Sequence, residues 1–223
     1  MSFAPNGPVE NAALEAGLAA LGLSVPEAVR AGLLRYLGEL LKWNQKVNLT
    51  AITEPKEAIE KHLVDALAVL PEVQAGQGPL LDLGTGAGLP GIPLALALPA
   101  LEATLVDAVA KKVAFVKAAV AVLGLAPRVR ARHLHAEGKP QAEGLGLAGL
   151  VVARAFTEPA GLLELAAPYL APGGSVLAML GRHPDRADLE SLAAAKGYRL
   201  ASLRTYLLPV SKAERAAAVF QRA

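Results

Sequence analysis

The chain has 223 residues, 53% of them hydrophobic, and a formal net charge of +2, which describes a globular protein with enough apolar residues for a sizeable core. It has no cysteine, which excludes disulfides and thiolate metal sites, and its four histidines form no ligand cluster, so we expect no metal. The amino terminus lacks the pattern of a signal peptide, and no apolar run is long enough to span a membrane. We therefore expect a cytoplasmic monomer.

The first part of the chain is predicted to be all helical, because no stretch in it alternates apolar and polar residues with the period of a strand. The clearest helix has Ser24 as its candidate N-cap and Pro26 in its first turn, and leucines recur along it at helical spacing. A later helix is predicted to begin at Pro55 and to end at Pro71. We therefore expect a helical subdomain over residues 1–75.

The most informative segment, residues 80–91, has the pattern of a buried strand, a glycine-rich turn and the start of a helix. Such turns bind nucleotide-like ligands, because glycine admits positive φ and the following helix presents unpaired N–H groups. Gly84, Gly86 and Gly88 follow the spacing G-x-G-x-G, and Leu89 stands where a dinucleotide fingerprint requires glycine. The segment also lacks the lysine of a P-loop. The spacing therefore argues against NAD and against ATP.

Two acidic residues indicate what the turn binds. Asp107 ends the next predicted strand about 20 residues after the glycines, where doubly wound folds hydrogen-bond a ribose diol. Asp82, in the strand before the glycines, indicates a ligand with positive charge. S-adenosylmethionine is a nucleoside without phosphate that carries such a charge, and we predict it as the cofactor. The alternative is that the glycines only form a tight turn and Asp107 only caps the next helix.

From residue 76 onward, predicted strands and helices alternate, which is typical of a parallel sheet covered on both faces. Beyond the two strands above, further strands are predicted at residues 128–134, 149–154, 175–180, 198–207 and 216–221. Residues 172–174, Pro-Gly-Gly, are predicted to form a turn. The sequence therefore predicts a doubly wound, Rossmann-like α/β domain over residues 76–223.

Two groups of basic residues are candidates for contact with a polyanion. The denser group surrounds the predicted strand at 128–134, where alternate arginines would lie on one face, with a solvated strand edge as the simpler interpretation. The second group lies in the helical region beside Trp43, which could stack on a base or belong to the core. The net charge is too small to indicate nucleic-acid binding by itself.

Five segments resemble, in order along the chain, the RsmG (GidB) family of bacterial methyltransferases. They lie at residues 43–50, 62–65, 82–91, 107–112 and 153–156. The resemblance covers nearly the whole chain, and its most diagnostic part is the first segment, Trp-Asn-Gln-Lys-Val-Asn-Leu-Thr. It implies a class I methyltransferase that transfers a methyl group from S-adenosylmethionine to N7 of one guanine in the decoding-region loop of 16S ribosomal RNA. The implied partner is 16S rRNA or the small ribosomal subunit.

The glycine motif and the resemblance together give the candidate cofactor contacts. These are Asp82, Gly84, Gly86, Gly88, Leu89, Asp107, Ala136, Glu137 and Arg154. The resemblance implies that Asp107 binds the ribose and that Ala136 and Glu137 lie beside the adenine. It also implies that Arg154 borders cofactor and substrate, which makes this arginine the candidate catalytic residue. The alternative for Arg154 is a surface salt bridge.

Candidate RNA contacts are spread over both halves of the chain. They are Lys46, Asn48, Thr50, His62, Arg182 and Arg215. Asn48 and Thr50 have helix capping or turn formation as their alternative roles. The chain departs from the family pattern at Leu180, where lysine is usual, and at Ala216, where histidine is usual. The basic residues at 182 and 183 are candidates to compensate for the missing lysine.

The implied reaction needs no general base, because guanine N7 carries a lone pair and no proton. Alignment of nucleophile, methyl carbon and sulfur is expected to supply most of the rate. Asp65 or Asp82 is a candidate to stabilise the cationic product. Two other classes stay open, a cofactor- and rRNA-binding assembly factor with little catalysis and a methyltransferase for a small molecule. A nicotinamide oxidoreductase is a more distant alternative.

Overall fold

A computed structural model describes residues 7–154 and 157–222. The strands are β1 (Leu80–Leu83), β2 (Ala103–Asp107), β3 (Val129–His133), β4 (Ala148–Arg154), β5 (Leu170–Leu180), β6 (Tyr198–Leu207) and β7 (Glu214–Arg222). The helices before β1 are α1 (Pro8–Ala20), α2 (Glu27–Val47), α3 (Pro55–Ala58), a π-helix (Ile59–Val64), α4 (Asp65–Leu67) and α5 (Leu70–Ala75). The later helices are α6 (Gly91–Ala97), α7 (Ala110–Val122), α8 (Pro140–Glu143), α9 (Pro159–Ala166), a 3-10 helix (Ala167–Tyr169) and α10 (Arg186–Ala195).

The seven strands form one sheet in the order β3-β2-β1-β4-β5-β7-β6. Strands β1 to β5 pair in parallel, and β7 pairs antiparallel with both β5 and β6. Parallel neighbours require crossover connections, and the helices between the strands provide them. The predicted doubly wound α/β fold is therefore confirmed, and the carboxyl ends of β1 to β5 lie along one edge of the sheet.

Side chains alternate along each strand and so divide the core into two layers. In β4, Leu150 and Val152 belong to one apolar cluster, whereas Val151 and Ala153 belong to the other. Residues of α1, α2, α6 and α7 complete the first cluster, and residues of α9 and α10 complete the second. The amino-terminal helices thus share a core with one face of the sheet. The division into domains near residue 75 stays a prediction.

Two predicted helix boundaries are wrong. Helix α2 begins at Glu27 with Pro26 in the N-cap position, so Ser24 does not cap it and Pro26 precedes its first turn. Pro71 does not end a helix but lies in the first turn of α5, which begins at Leu70. Proline is compatible with that position because the first N–H groups of a helix have no partner within it.

The predicted turn at residues 172–174 is also wrong, because it forms part of the long strand β5. The pairing of β4 with β5 is irregular here, since the register shifts between Ala148 and Leu150. A Cβ on Gly174 would lie 2.9 Å from the carbonyl oxygen of Ala171, so the backbones approach too closely for a side chain. The Pro-Gly-Gly sequence therefore marks an irregularity within a strand, and the other predicted strands differ only at their ends.

Two kinds of feature are missing from the part of the chain that the structure describes. No helix there combines the length and hydropathy required to span a membrane. Within the same residues, no group of three or more His, Asp or Glu side chains comes close enough together to hold a metal ion.

Candidate active site at the carboxyl edge of the sheet

A cavity of about 420 Å³ opens at the carboxyl edge of the sheet. Its first wall is the glycine turn after β1, and its second wall comes from the chain around the π-helix and from the ends of β4, β5 and β7. Predicted site residues from both halves of the chain line it, namely Gly84, Gly86, Leu89, Thr50, His62, Arg154 and Arg215. This position agrees with the rule that ligands of open α/β sheets bind outside the carboxyl ends of the strands.

Asp82 shapes the glycine turn through hydrogen bonds. Its Oδ2 accepts hydrogen bonds from the hydroxyl of Thr85 at 2.7 Å and from the backbone N–H of Gly91 at 2.9 Å. Burial raises the pKa of Asp82 to about 6, although both hydrogen bonds oppose the shift. The side chain is fully buried and does not line the cavity. Asp82 therefore shapes the turn, and its contact with the cofactor stays a prediction.

The three glycines of the motif have different reasons for being glycine. Gly84 and Gly86 line the cavity with φ angles of 69° and 60°, in the left-handed region where a Cβ is disfavoured. Gly88 is buried and does not line the cavity, and a Cβ on it would lie 2.5 Å from Cδ1 of Ile92. Gly88 also has a positive φ, of 91°, so the close packing onto α6 is a second reason for glycine there, and its cofactor contact stays a prediction.

Asp107 joins the end of β2 to the glycine turn. One carboxylate oxygen accepts a hydrogen bond from the N–H of Gly86 at 2.8 Å, and the other accepts one from the N–H of Val109 at 2.8 Å. Val109 is the N-cap residue of α7 and, among the described residues, this N-cap has no side-chain capping hydrogen bond, so Asp107 orders the chain before α7 without capping the helix. The carboxylate lies where the sequence predicts a ribose contact.

Ala136 and Glu137 lie outside the cavity, in the loop that follows β3. Glu143 holds this loop, because its carboxylate accepts hydrogen bonds from the N–H groups of Glu137 at 2.8 Å and Lys139 at 3.3 Å. The hydroxyl of Tyr169 donates to the same carboxylate at 2.5 Å. Burial and this hydrogen bond raise the pKa of Tyr169 to about 12. The sequence did not predict either anchor: Glu143 lies only four to six positions from its backbone partners, whereas Tyr169 comes from a distant segment.

Asn44 shapes the chain that leaves α2. Its Oδ1 accepts hydrogen bonds from the N–H groups of Leu49 at 2.6 Å and Thr50 at 2.9 Å, and its Nδ2 donates to the carbonyl of Thr50 at 2.9 Å. Asn48 ends the helix in the left-handed conformation, and the Thr50 hydroxyl accepts from the N–H of Ile52 at 3.1 Å. The predicted turn chemistry is therefore present. Asn44 was missed, and its only signal is an amide on the buried face of the helix.

His62 is buried in the second wall, on the π-helix. Its Nε2 lies 3.1 Å from the hydroxyl oxygen of Thr50. Burial, and then the positive charge of Arg154, lower the pKa of His62 to about 4. The imidazole is therefore neutral near pH 7, and its predicted RNA contact is limited to a hydrogen bond or packing without a charge.

Asp65 contacts two arginines at the back of the cavity. Nη1 of Arg154 lies 3.4 Å from Oδ2 of Asp65 and donates to the carbonyl of Lys61 at 3.0 Å. Nε of Arg215 lies 3.2 Å from Oδ1 of Asp65, and the hydroxyl of Tyr206 donates to the same oxygen at 3.4 Å. Arg154 thus forms a salt bridge and also lines the cavity, but the bridge is to a buried carboxylate and not the surface salt bridge given as its alternative role. The two residues that follow it in the family segment, at 155 and 156, lie outside the described residues.

Helix α2 connects the amino-terminal helices to the glycine turn. The buried hydroxyl of Tyr36 donates to the carbonyl of Ala87 at 2.7 Å, and burial raises the pKa of this tyrosine. The ring of Trp43 packs edge-on against Phe115 with 5.7 Å between centroids, and Trp43 is half-buried. The interpretation of Trp43 as part of the core is confirmed, and Tyr36 is a contact that the sequence did not predict.

The remaining RNA candidates lie away from this cavity. Lys46 is exposed near the end of α2, and Arg182 is exposed beside a neighbouring cavity of about 830 Å³. Arg128, from the dense basic group, is not on a solvated edge: it precedes β3 and donates to the carbonyl groups of Ala95, Leu98 and Leu101 at the end of α6. This arginine therefore stabilises a helix end.

The two departures from the family pattern lie directly opposite each other. Leu180 in β5 pairs with Ala216 in β7, and Leu180 lines both the 420 Å³ cavity and its larger neighbour. Ala216 is fully buried. This cross-strand pair therefore places two apolar residues at the positions where the family resemblance implies lysine and histidine.

The site fits S-adenosylmethionine in shape and in charge. The backbone of Gly84 and Gly86 faces the cavity without a side chain. Asp107 lies at the end of β2, and Oδ1 of Asp82 is buried beneath the turn without a hydrogen-bond partner among the described residues. These two carboxylates suit a ligand that carries positive charge and a ribose, and the turn itself has no lysine for a phosphate.

Solved structures share this fold. Magnesium protoporphyrin IX methyltransferase from Synechocystis PCC 6803, with bound SAH, has a TM-score of 0.61 at 11% identity, covering 96% of this chain and 100% of that chain. An SAM-dependent methyltransferase from Geobacter sulfurreducens, in complex with S-adenosyl-L-homocysteine, has a TM-score of 0.53 at 22% identity, covering 64% and 66%. The fold and the site together define a class I methyltransferase that depends on S-adenosylmethionine.

Sequence comparisons identify the family. Residues 30–216 match the family model of GidB, described as rRNA small subunit methyltransferase G. A ribosomal RNA small subunit methyltransferase G from Myxococcus xanthus is 55% identical over 209 residues, which is 94% of this chain and 95% of that relative. One from Anaeromyxobacter dehalogenans is 56% identical over 210 residues, or 94% and 96%. The chain therefore belongs to the GidB family, and the resemblance seen in the sequence is confirmed.

Proposed function

We propose that the protein transfers a methyl group from S-adenosylmethionine to N7 of a guanine in the decoding-region loop of 16S rRNA. Membership of the GidB family supports the class of substrate. The observation that carries the proposal is the cavity itself, in which the glycine turn faces a wall of basic side chains. That wall contains Arg154, Arg215 and Lys61, and Lys112 of α7 also lines the cavity, so the basic side chains suit a ligand with phosphate groups.

The cofactor supplies a methyl group activated on a positively charged sulfur. In this proposal the backbone of Gly84 and Gly86 holds it, with Leu89 against the turn and Asp107 on the ribose. Ala136 and Glu137 lie in the loop after β3, at the edge where an adenine would extend, and Arg154 borders cofactor and substrate. Glu143 and Tyr169 keep that loop in place through the hydrogen bonds described above.

Catalysis in this proposal is positional. Guanine N7 has no proton to lose, so no residue has to act as a general base, and the neutral, buried His62 is not required as one. Asp65 is already paired with two arginines and Asp82 is buried beneath the turn, so neither is a bare carboxylate available to the cationic product. Holding the two reactants in line contributes up to about 7–11 kcal/mol in well-oriented systems.

The substrate in this proposal is 16S rRNA within or before the small ribosomal subunit. Residues 1–75 form the subdomain that faces RNA, and residues 76–223 form the cofactor-binding domain. Lys46, Asn48 and Thr50 of the first part, together with Arg182 and Arg215 of the second, are the proposed RNA contacts. The protein is proposed to act as a monomer in the bacterial cytoplasm, where ribosomes are assembled.

The direct test is transfer of radiolabelled methyl from S-adenosylmethionine to small subunits isolated from a strain without this enzyme, followed by chemical cleavage at N7-methylguanine. We expect label in one guanine of the decoding-region loop. Asp107→Ala should lose both cofactor binding and label. Asp188→Ala is the matched control, because it removes an exposed carboxylate from the neighbouring cavity and should keep both.

Other results would identify one of the two alternatives. Cofactor binding by calorimetry without label in any rRNA would favour an rRNA-binding assembly factor, for which the replacement of polar residues by the pair Leu180 and Ala216 is the supporting observation. Methyl transfer to a small molecule in the absence of RNA would favour a small-molecule methyltransferase. In that case the amino-terminal helices would cover the cavity without binding RNA.

A further inference from the structure

One carboxylate at the back of the cavity is shared by three elements of the fold. Asp65, in α4, contacts Arg154 at the end of β4, Arg215 in β7 and Tyr206 in β6. Each oxygen of the carboxylate contacts one arginine, at 3.4 Å and 3.2 Å. Asp65 and both arginines line the cavity, so the carboxylate and the two guanidinium groups that it contacts face the same space.

This arrangement differs from a surface ion pair. Asp65 is 4% exposed, and the side chains of Arg154 and Arg215 are 20% and 21% exposed. Two guanidinium groups so close together repel each other, and a shared carboxylate offsets that repulsion. Each arginine also has N–H groups without a partner among the described residues, since Asp65 and two backbone carbonyls account for one or two donors of each.

The backbone beside Asp65 fixes the same pair. The Asp65 N–H bonds to the carbonyl of Glu60, five residues earlier, as expected at the end of a π-helix. The Lys61 carbonyl accepts a hydrogen bond from Arg154 at 3.0 Å. Arg154 is therefore held by a carboxylate and a carbonyl from one helical segment, which restricts its rotamers more than either contact would alone.

We infer that Asp65 is a positioning residue for the methyl transfer, which holds Arg154 and Arg215 as a pair so that their remaining N–H groups bind one phosphate of the target nucleotide. This inference rests on the proposed function. A pair of guanidinium groups offers several parallel N–H donors, which suits the tetrahedral oxygens of phosphate better than a single cation does. The phosphate then fixes the nucleotide whose base enters the cavity.

The test is a double-mutant cycle on kcat/KM for methylation of small subunits, with Asp65→Asn, Arg215→Ala and the double variant. Asp65→Asn keeps the shape of the side chain but removes its charge. We expect each single variant to lose about 100-fold, as small errors in position do. If Asp65 acts through both arginines, we expect the double variant to lose much less than the product of the two single effects, because in the Arg215→Ala variant the carboxylate has only Arg154 left to position.

Glu72→Gln is the matched control. Glu72 also comes from the amino-terminal helices and pairs with an arginine of the sheet, Arg204, at 2.7 Å and 2.9 Å, but this pair lies beside a different cavity at the opposite edge of the sheet. We expect this variant to lose stability in urea unfolding without a change in kcat/KM. The Asp65→Asn variant should unfold at a urea concentration similar to that of the Glu72→Gln variant. Its loss of kcat/KM should exceed that of Glu72→Gln.

The outcomes separate the two proposals. A wild-type protein that transfers no methyl to small subunits would overturn the proposed function and this inference with it. An active wild type whose Asp65→Asn and Arg215→Ala effects multiply in the double variant would overturn the inference alone, because independent contributions show that Asp65 does not act through the arginine. An Asp65→Asn variant that binds and methylates subunits better than wild type would also overturn it, since its added positive charge would then be the dominant effect.

Discussion

The two walls of the cavity are built in different ways. In the glycine turn, the hydrogen bonds of Asp82 reach residues three and nine positions away along the chain. In the opposite wall, Arg154 bonds to Lys61 across 93 positions. The hydrogen bonds of Asp82 in the first wall therefore lie within one short segment, to which Asp107 and Tyr36 add contacts from elsewhere in the chain. The second wall exists only once the amino-terminal helices have packed against the finished sheet. We therefore expect a substitution in the turn to change mainly the turn itself. We expect a substitution in the opposite wall to change how the amino-terminal helices pack against the sheet.

The largest expected effect follows from removing the support of the turn. Asp82→Ala leaves the Thr85 hydroxyl and the Gly91 N–H buried without an acceptor. Each unsatisfied donor costs about 1–3 kcal/mol. We expect a loss of roughly 4 kcal/mol in the free energy of unfolding. We also expect cofactor affinity to fall at least 100-fold. Urea unfolding and calorimetric titration with S-adenosylmethionine measure the two quantities.

Asp82→Asn is the control for that experiment, because its oxygen can replace Oδ2 and its amide removes only the charge. We expect it to keep most of the stability. Equal losses in the alanine and asparagine variants would mean that the charge of Asp82, and not its hydrogen bonds, supports the turn.

The next prediction concerns the opposite wall and is the pH dependence of stability that His62 causes. The pKa of His62 is about 4 in the folded protein, whereas the ordinary pKa of an exposed histidine is 6.5. Between these values only the unfolded chain binds the proton, so stability is lost as the pH falls from 6.5 to 4. The contribution is on the order of 3 kcal/mol over this window. The contribution of Asp82 to the pH dependence of stability has the opposite sign. Because its pKa is raised to about 6, its protonation favours the folded state at low pH.

His62→Gln separates the two contributions. Unfolding free energies of wild type and variant, measured by urea at several values between pH 7 and pH 4, should converge or cross as the pH falls, because the variant lacks the histidine contribution. The Asp82 contribution is common to both proteins and cancels in the difference. Two parallel curves would contradict the assignment of a buried, neutral imidazole.

A smaller effect is expected at the link between the two walls. Tyr36→Phe removes the hydroxyl that donates to the Ala87 carbonyl at 2.7 Å and leaves that carbonyl without its partner. We expect a loss of about 1–2 kcal/mol in the free energy of unfolding. Cofactor affinity should fall only a few-fold, because the internal hydrogen bonds of the turn remain. Phe220→Leu in the opposite core layer is a control that should lose stability without any change in cofactor affinity.

The smallest effect is expected outside both walls. Lys46 is exposed near the end of α2, so Lys46→Ala should leave stability and cofactor affinity unchanged. If it contacts RNA phosphate, affinity for small subunits should fall a few-fold, and the slope of log affinity against log salt should decrease by about one. The measurement is a filter-binding titration at several salt concentrations. An unchanged slope would remove Lys46 from the RNA contacts.

The sequence predicted the parts of the molecule that depend on local pattern. Strand periodicity and the alternation with helices gave the sheet, and the spacing of Gly84 and Gly86 with Asp107 located the first wall of the cavity. Glycine spacing did not distinguish the residues that face the cavity from Gly88, because packing against α6 and access for a ligand both require a missing side chain. The position of Pro71 relative to a helix was ambiguous for a similar reason, because proline is compatible both with the start of a helix and with the point where one ends.

The second wall was located mainly through the family resemblance, and of its contacts the sequence indicated only the turn at Thr50 and a salt bridge of Arg154, without its partner. The positions of His62 and Asp65 depend on a π-helix, for which no sequence rule is available, and on strands that follow them much later in the chain. Anchors such as Asn44 and Glu143 act on backbone groups, so their residue type carries little information about their partners. The shared pair of arginines exists only in the folded arrangement of β4 and β7.

The π-helix at Ile59–Val64 also determines how a deletion in this segment would affect the wall. A π-helical turn contains one residue more than an α-helical turn, so deletion of a single residue here could restore a regular α-helix without disturbing its hydrogen bonding. Each residue of an α-helix rotates the chain by about 100°. Such a deletion would therefore turn Thr50 and the preceding loop away from Asp65 and the sheet. A change in the length of this segment would therefore separate the two halves of the wall.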